Sequence, residues 1–357
     1  MKKSFLLQFV LVAGLVFQGF GQIPPGYYNA VIGLSGQPLQ SGLHNIIDNH
    51  TVMPYSSLYA CYTTTDAKPG NVVWDMYSDI PGGTPPYLYH FSSGDECGNY
   101  NSEGDCYNRE HSWPKSWFGD HPPMNSDLFH IYPTDGWVNN KRDNDPYGEV
   151  GNATWTSLNG SKVGTCSWPG YSGVVFEPID EYKGDFARTY FYMSTRYYGE
   201  DSGWPGSPMT TGAQLKPWAL QMMLVWHKND PVSQKEIDRN NAVYAYQINR
   251  NPFIDHPEFA TDIWGFPVGI DETNSAPAKL EVYPNPASDF CNIDLPSGIR
   301  TSNYHLSLVS MNGTRFSQEI TLNGNTLNLS VQSLSPGFYF LILASDAGTW
   351  HGKLMKE

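Results

Sequence analysis

The sequence predicts an α+β fold, with a domain rich in helices and loops over residues 22–270 and a small all-β sandwich over residues 279–357. Apolar residues recur at helical spacing in the first part. After a polar, Pro-containing linker at residues 271–278, short alternating runs take over. At 357 residues the chain is also longer than one typical domain.

The first 21 residues are typical of a signal peptide. Lys2 and Lys3 precede an apolar run over residues 5–17, and small residues stand at Gly19 and Gly21. The run is too short for a transmembrane helix, and no later stretch reaches the roughly 20 apolar residues that a span needs. We therefore expect a monomeric, secreted or cell-surface protein with no stable membrane span.

Three helices of the first domain are predicted from their end signals and their apolar spacing; they cover residues 185–198, 217–227 and 233–248. The last has a capping-box pattern at Ser233 and Glu236. Its spacing predicts a buried face carrying Ile237, Tyr244 and Ile248. Aromatic and methionine stripes of this kind are far more often core than ligand-binding surface.

The last 79 or so residues predict strands joined by tight turns. Short alternating runs of the kind found in strands, such as residues 304–309 and 337–343, are separated by Asn-Gly pairs at 312–313 and 323–324. Asn-Gly between alternating runs is typical of two-residue hairpin turns. The spacing predicts a small β-sandwich.

Five cysteines are present, and an exported chain favours disulfides. Cys97 and Cys106 would close a short loop just before Asn108. Cys61 and Cys166 form a second candidate pair, although four cysteines allow three connectivities. Cys291 stands alone and is predicted to be a free thiol.

The net charge of −14 is unfavourable for binding a polyanion. Even residues 108–200 contain eight Lys and Arg against twelve Asp and Glu. Any contact with nucleic acid must therefore be local or depend on a bound cation, because the chain has no broad positive field.

The residues that carry chemistry are concentrated in two runs, 108–118 and 126–142. Phosphodiester hydrolysis needs a base for the attacking water and positive charge near the departing oxygen. Glu110 and the amide oxygen of Asn139 suit Mg²⁺, which prefers hard oxygen ligands. A neutral imidazole at His111 suits the base. The alternative for Glu110 and His111 is a surface carboxylate beside a half-buried imidazole.

Strand geometry constrains this hypothesis. Neighbouring strand residues point to opposite faces, so Glu110 and His111 reach one phosphate only where the strand twists or ends, as Pro114 suggests. Thr134 or Asp135 would cap a helix that carries Asn139 about one turn from its start. The predicted arrangement is a strand end, a loop and a metal-bearing helix.

Four ordered runs strongly resemble the secreted bacterial endonuclease I family; they are residues 108–114, 127–142, 184–188 and 250–258. The resemblance implies a ββα-metal core and a nuclease that cuts DNA, and often RNA, with little sequence preference, leaving 5′-phosphate ends. It also implies that His111 is the general base and that Glu110 and Asn139 bind the metal.

The sequence also suggests roles for four further residues. Arg109, Lys115 and Arg142 are candidate phosphate contacts, with ordinary surface cations as the alternative. His130 is interpreted as a supporting residue behind the catalytic ones, and its role is open because many relatives have histidine where this chain has Phe129. The expected cofactor is Mg²⁺, with Mn²⁺ and Ca²⁺ as alternatives.

The C-terminal domain resembles a sorting domain of the type IX secretion pathway; the runs that carry the resemblance are residues 282–289, 334–339 and 352–357. Such domains direct export across the outer membrane, so the secretion machinery is an expected partner and catalysis there is not expected.

Two other functions compete with a nuclease. A metallohydrolase for peptides or sugars is disfavoured because the chain has no His-Glu-x-x-His motif and because asparagine as a ligand favours a hard cation over zinc. A glycan-binding module would use some of the 11 Trp and 23 Tyr, but an aromatic core explains them equally well.

Overall fold

The structure is a computed structural model that describes residues 23–265, 280–295, 304–310, 315–316, 320–345 and 348–357. The chain divides into two compact units, Met1–Gly269 and Ile270–Glu357. The predicted signal peptide (1–21) and linker (271–278) lie outside the described residues. Within the described part of the chain, no helix combines the length and apolarity needed to cross a membrane.

The described helices all lie in the first unit: α1 (Gly36–Ile47), α2 (Leu58–Thr65), α3 (Gly136–Arg142), α4 (Lys183–Arg196), α5 (Pro217–Asn229), α6 (Gln234–Gln247), α7 (Pro252–Asp255) and α8 (Glu258–Trp264). Its strands are short: β1 (Ala67–Lys68), β2 (Val72–Val73), β3 (Tyr107–His111), β4 (Ile131–Asp135), β5 (Val150–Thr156), β6 (Lys162–Cys166), β7 (Val174–Glu177), β8 (Thr210–Thr211) and β9 (Gln214–Leu215). They form the antiparallel sheets β1-β2, β3-β4, β5-β6-β7 and β8-β9.

Helix α4 is the centre of the first unit, since every one of its residues is buried. The sequence predicts this helix over 185–198, two residues later at each end than observed. Its aromatic residues join a core that is rich in Tyr, Trp, Phe and Met, as the composition suggests.

Helix α6 begins as predicted and buries a different face. Ser233 and Glu236 form the capping box. However, Ile237 and Ile248 are 39% and 63% exposed, whereas the buried positions include Arg239 and Asn240. The predicted apolar face is therefore wrong, because the polar face of α6 has partners inside the protein.

A ββα unit holds the predicted site. Strand β3 pairs antiparallel with β4, which places Glu110 opposite Tyr132 and His111 opposite Ile131. Helix α3 follows β4 directly, and the Asp135 carboxylate accepts a hydrogen bond from the Val138 amide as its N-cap. The order of strand, loop, strand and capped helix agrees with the predicted α+β class.

The described residues of the second unit form two four-stranded antiparallel sheets; the strands are β10 (Val282–Tyr283), β11 (Phe290–Asp294), β12 (Tyr304–Ser310), β13 (Arg315–Phe316), β14 (Ile320–Asn323), β15 (Thr326–Ser330), β16 (Gly337–Ser345) and β17 (Gly348–Lys356). The orders are β10-β11-β15-β14 and β13-β12-β16-β17.

Leucines from both sheets share one apolar core, as in a sandwich. The Asn323-Gly324 pair turns the chain between β14 and β15, with Gly324 at φ +63°. The pair at 312–313 lies outside the described residues.

Candidate active site

Glu110 and His111 are the last two residues of β3, and both are nearly fully buried. As consecutive strand residues they face different neighbours. The side chain of Glu110 lies with Tyr77 and Arg142, and the ring of His111 lies with Tyr55 and His130.

Arg142 holds Glu110 in place. Glu110 Oε1 accepts hydrogen bonds from the Tyr77 hydroxyl, at 2.9 Å, and from Arg142 Nη1. Arg142 also donates to the backbone carbonyls of His111, at 3.0 Å, and Ser112, at 2.7 Å. Its side chain is fully buried. This contradicts the prediction that Arg142 contacts a phosphate, because the guanidinium is enclosed and both its Nη atoms donate to protein oxygens.

Asn139 lies on α3 facing β3. It is half-buried, and its Nδ2 donates to Asn108 Oδ1 at 2.7 Å. Asn108 is two residues before Glu110, so both occupy the same face of β3. Asn108 is a site residue that its motif did not reveal, although it begins the same run.

The tautomer of His111 follows from its partner. His111 Nε2 lies 3.2 Å from the carbonyl oxygen of Asn125. A carbonyl can only accept, so Nε2 carries the proton and Nδ1 keeps the lone pair. Burial, and then the neighbouring His130 and Lys115, hold the pKa of His111 well below its usual value, so the ring is neutral at pH 7.

His130 packs against His111 from the loop before β4. The two ring centroids lie 5.5 Å apart, and His130 is fully buried. His130 Nε2 donates to the Met124 carbonyl at 2.6 Å, while Nδ1 has no hydrogen-bond partner. Burial lowers the pKa of His130 to about 4, so it too is neutral.

Arg109 and Lys115 surround the ring of Tyr55. The Arg109 guanidinium lies 4.0 Å and the Lys115 ammonium 4.9 Å from the ring centroid. Arg109 Nη1 also donates to the Tyr55 carbonyl at 3.1 Å, and the Tyr55 ring stacks on His111 at 5.9 Å. Sequence reasoning missed Tyr55, because no motif connects it with the catalytic run.

The predicted disulfide between Cys97 and Cys106 is present, with the two Cα atoms 5.2 Å apart. The Cys106 carbonyl accepts the Gly136 amide at 2.9 Å, so the disulfide loop contacts the start of α3. The second predicted pair is wrong: Cys61 and Cys166 are separate, buried thiols. Cys291 is also a free thiol, as predicted.

The oxygens of Glu110 and Asn139 fit a hard divalent cation. Both hydrogen bonds to the Glu110 carboxylate reach Oε1, and Asn139 uses its nitrogen rather than its oxygen toward Asn108. Glu110 Oε2 and Asn139 Oδ1 thus keep their capacity to bind a cation, and carboxylate and amide oxygens are the donors that Mg²⁺ prefers.

A buried carboxylate, a neutral imidazole and a capped helix that bears an amide thus lie in one ββα unit. The chain belongs to the Endonuclease I family, whose model matches residues 35–258. Residues 281–357 match the secretion system C-terminal sorting domain.

Three curated relatives support this membership. The extracellular ribonuclease of Bacillus amyloliquefaciens is 39% identical over 248 residues, which cover 67% of this chain and 78% of the relative. The extracellular ribonuclease of Bacillus subtilis (strain 168) is 37% identical over the same coverage. Endonuclease-1 of Buchnera aphidicola subsp. Acyrthosiphon pisum (strain APS) is 26% identical over 132 residues, or 37% of this chain and 45% of the relative.

Proposed function

We propose that this protein is a secreted, metal-dependent endonuclease that hydrolyses DNA, and RNA as a second substrate, with little sequence preference and leaves 5′-phosphate ends. The observation that carries the proposal is the protonation and hydrogen bonding of the His111 ring. Its ring is neutral, its Nε2 proton is held by a carbonyl, and its Nδ1 lone pair is available as a base.

His111 takes the proton of the attacking water at Nδ1. The hydrogen bond from Nε2 to the Asn125 carbonyl fixes the ring and stabilises the imidazolium that forms. The stacked Tyr55 ring and the edge-on His130 ring restrict its rotation. The base is therefore oriented before substrate arrives.

Glu110 and Asn139 would hold the divalent cation, for which we propose Mg²⁺. When bound, such a cation supplies the positive charge that stabilises the transition state and the departing oxygen. Arg142 and Tyr77 orient the Glu110 carboxylate through Oε1, and Asn108 orients the Asn139 amide.

Because Arg142 is buried, Arg109 and Lys115 are the remaining proposed phosphate contacts. Contacts to phosphate position a nucleic acid without reading its bases, which supports low sequence preference. The Bacillus relatives are named extracellular ribonucleases, and the Buchnera relative is named Endonuclease-1, so both substrates are proposed. Export through the type IX pathway is proposed from the sorting domain.

The proposed function is tested with the full mature chain on supercoiled plasmid and on RNA. We expect magnesium-supported degradation of both, complete inhibition by EDTA, and products with 5′-phosphates that a ligase accepts without prior phosphorylation. Plasmid that stays intact over hours with added magnesium would refute the proposal.

The role of His111 is tested by His111→Ala. Loss of a general base costs about 10²- to 10⁴-fold in rate, so we expect a loss in that range. His121→Ala is the control, because His121 is exposed in the loop that follows β3, and its rate should stay within about twofold of wild type. Equal rates for the two variants would remove His111 from the mechanism.

A further inference from the structure

His44, Asp48 and Glu200 form a second cluster of metal-binding side chains. One imidazole nitrogen and one oxygen from each carboxylate all lie within 4.8 Å of one another. His44 and Asp48 belong to the last turn and C-cap of α1, and Glu200 follows the end of α4. We propose that the cluster is a structural site for a divalent cation of the Zn²⁺ class, separate from the nuclease site.

The imidazole of His44 is oriented as a ligand. His44 Nδ1 lies 3.0 Å from the carbonyl oxygen of Arg196 and 3.2 Å from that of Thr195. Because carbonyls only accept, Nδ1 carries the proton, and Nε2 keeps its lone pair 3.6 Å from Glu200 Oε1. Metal-binding histidines characteristically donate their other N–H to a carbonyl or carboxylate in this way.

The surrounding backbone favours a cation. His44 and Asp48 lie at the C-terminus of α1, the carbonyls that His44 contacts lie at the C-terminus of α4, and each helix C-terminus carries roughly half a negative charge. Asp48 is the C-cap of α1, and the carbonyl groups that fix His44 belong to the last turn of α4. Two helix ends and two carboxylates therefore concentrate negative potential on one imidazole nitrogen.

Arg196 is a positive group that contacts the cluster. Its Nη1 lies 3.2 and 3.1 Å from the two Glu200 oxygens, and its Nε donates to His50. This ion pair balances one carboxylate when no cation is bound. Glu200 is 43% exposed at its side chain, so it can keep one oxygen on Arg196 and turn the other to a cation.

The donor set selects the class of cation. Mg²⁺ and Ca²⁺ prefer oxygen ligands alone, whereas an imidazole with two carboxylates suits Zn²⁺. The oxygen pair of Glu110 and Asn139 has the opposite preference, so the two sites can be separated by the metal used. A cation here would link α1 to the turn after α4, two elements more than 130 residues apart in the chain, and would stabilise the folded state by binding it preferentially.

The test is titration of ZnCl₂ into the full mature chain, made without a polyhistidine tag and freed of metal by a chelator. Calorimetry should show a Zn²⁺ site in wild type and in Glu110→Gln, and Zn²⁺ should raise the melting temperature of both. The isosteric double variant D48N/E200Q should bind Zn²⁺ at least tenfold more weakly and lose the rise in melting temperature. Its magnesium-supported plasmid cleavage should equal that of wild type.

Asp238→Asn is the matched control, because Asp238 is an exposed carboxylate on α6, and its Zn²⁺ binding should be unchanged. Equal Zn²⁺ affinity in wild type and D48N/E200Q would overturn the proposal. So would loss of all Zn²⁺ binding in Glu110→Gln, which would assign the ion to the nuclease site. Both results leave the proposed nuclease function intact, so the two proposals fail separately.

Discussion

Arg142 is the residue whose role changes most between sequence and structure. From the sequence it is a candidate phosphate contact, because it follows Asn139 by three positions on one helix. In the structure it is fully buried and is the charge partner of Glu110. A buried cation that orients a carboxylate is a positioning residue, and substrate does not contact it.

Replacing Arg142 should therefore reduce stability as well as activity. Arg142→Leu leaves the Glu110 carboxylate buried without its charge partner, and breaking a buried ion pair in this way costs about 3–5 kcal/mol. We expect a loss of that size in urea unfolding, measured alongside plasmid cleavage. Lys141→Leu is the control, because Lys141 is the preceding residue of α3 and is only half-buried; we expect it to change stability by less than about 1 kcal/mol. Equal losses in the two variants would contradict the buried ion pair.

Single residues show which contacts of the site a sequence motif can predict. Glu110 and His111 are adjacent in the chain, so a strand-end geometry for them follows from local rules, and the structure places both at the end of β3. Tyr55 precedes His111 by more than 50 residues and meets it only after the chain folds. Contacts of that kind depend on tertiary packing, which no local pattern encodes.

At the scale of elements, helix ends were easier to predict than helix faces. The capping box of α6 involves residues three apart, so it is readable from the sequence. The buried face of α6 is not, because Arg239 finds Asp66 and the carbonyls of Leu128 and Ile131 on other elements. Spacing of apolar residues fails where polar side chains are buried with distant partners.

The disulfide loop and α3 form one structural element of the site. Cys97 and Cys106 close a loop of about ten residues, for which the chain-entropy relation gives roughly 2–3 kcal/mol of stabilisation. The loop contacts the first residue of α3, where Cys97 Sγ and Tyr100 lie close to Gly136. Loss of the disulfide should therefore loosen the helix that carries Asn139.

We expect dithiothreitol to lower the melting temperature and the cleavage rate of the wild-type protein. The double variant C97A/C106A should already have the lower values and should not respond to the reductant. The variant C61A/C166A is the control, since these thiols are free, and its response to dithiothreitol should match that of wild type. Loss of the response in C61A/C166A instead would reassign the disulfide.

At the scale of the whole molecule, charge is the unusual property for a nuclease. The net charge is −14, and burial of Arg142 reduces the candidate phosphate contacts named in the sequence from three to two. Arg109 and Lys115 remain, both beside the Tyr55 ring. With a negative net charge, the proposed binding of DNA depends on few cations together with the proposed metal.

Few phosphate contacts mean little counterion release when DNA binds. Each contact contributes about −0.9 to the slope of log K against log salt concentration, so two contacts predict a slope of roughly −2. The slope can be measured by fluorescence anisotropy of a labelled duplex bound to His111→Ala, at one fixed, low magnesium concentration and increasing KCl. Adding Lys115→Ala should make the slope shallower by about 1, whereas Lys162→Ala should not, because Lys162 lies on β6 and pairs with Glu177. A slope of about −6 or steeper would require a broad basic surface, and that would contradict binding through the metal and two local cations.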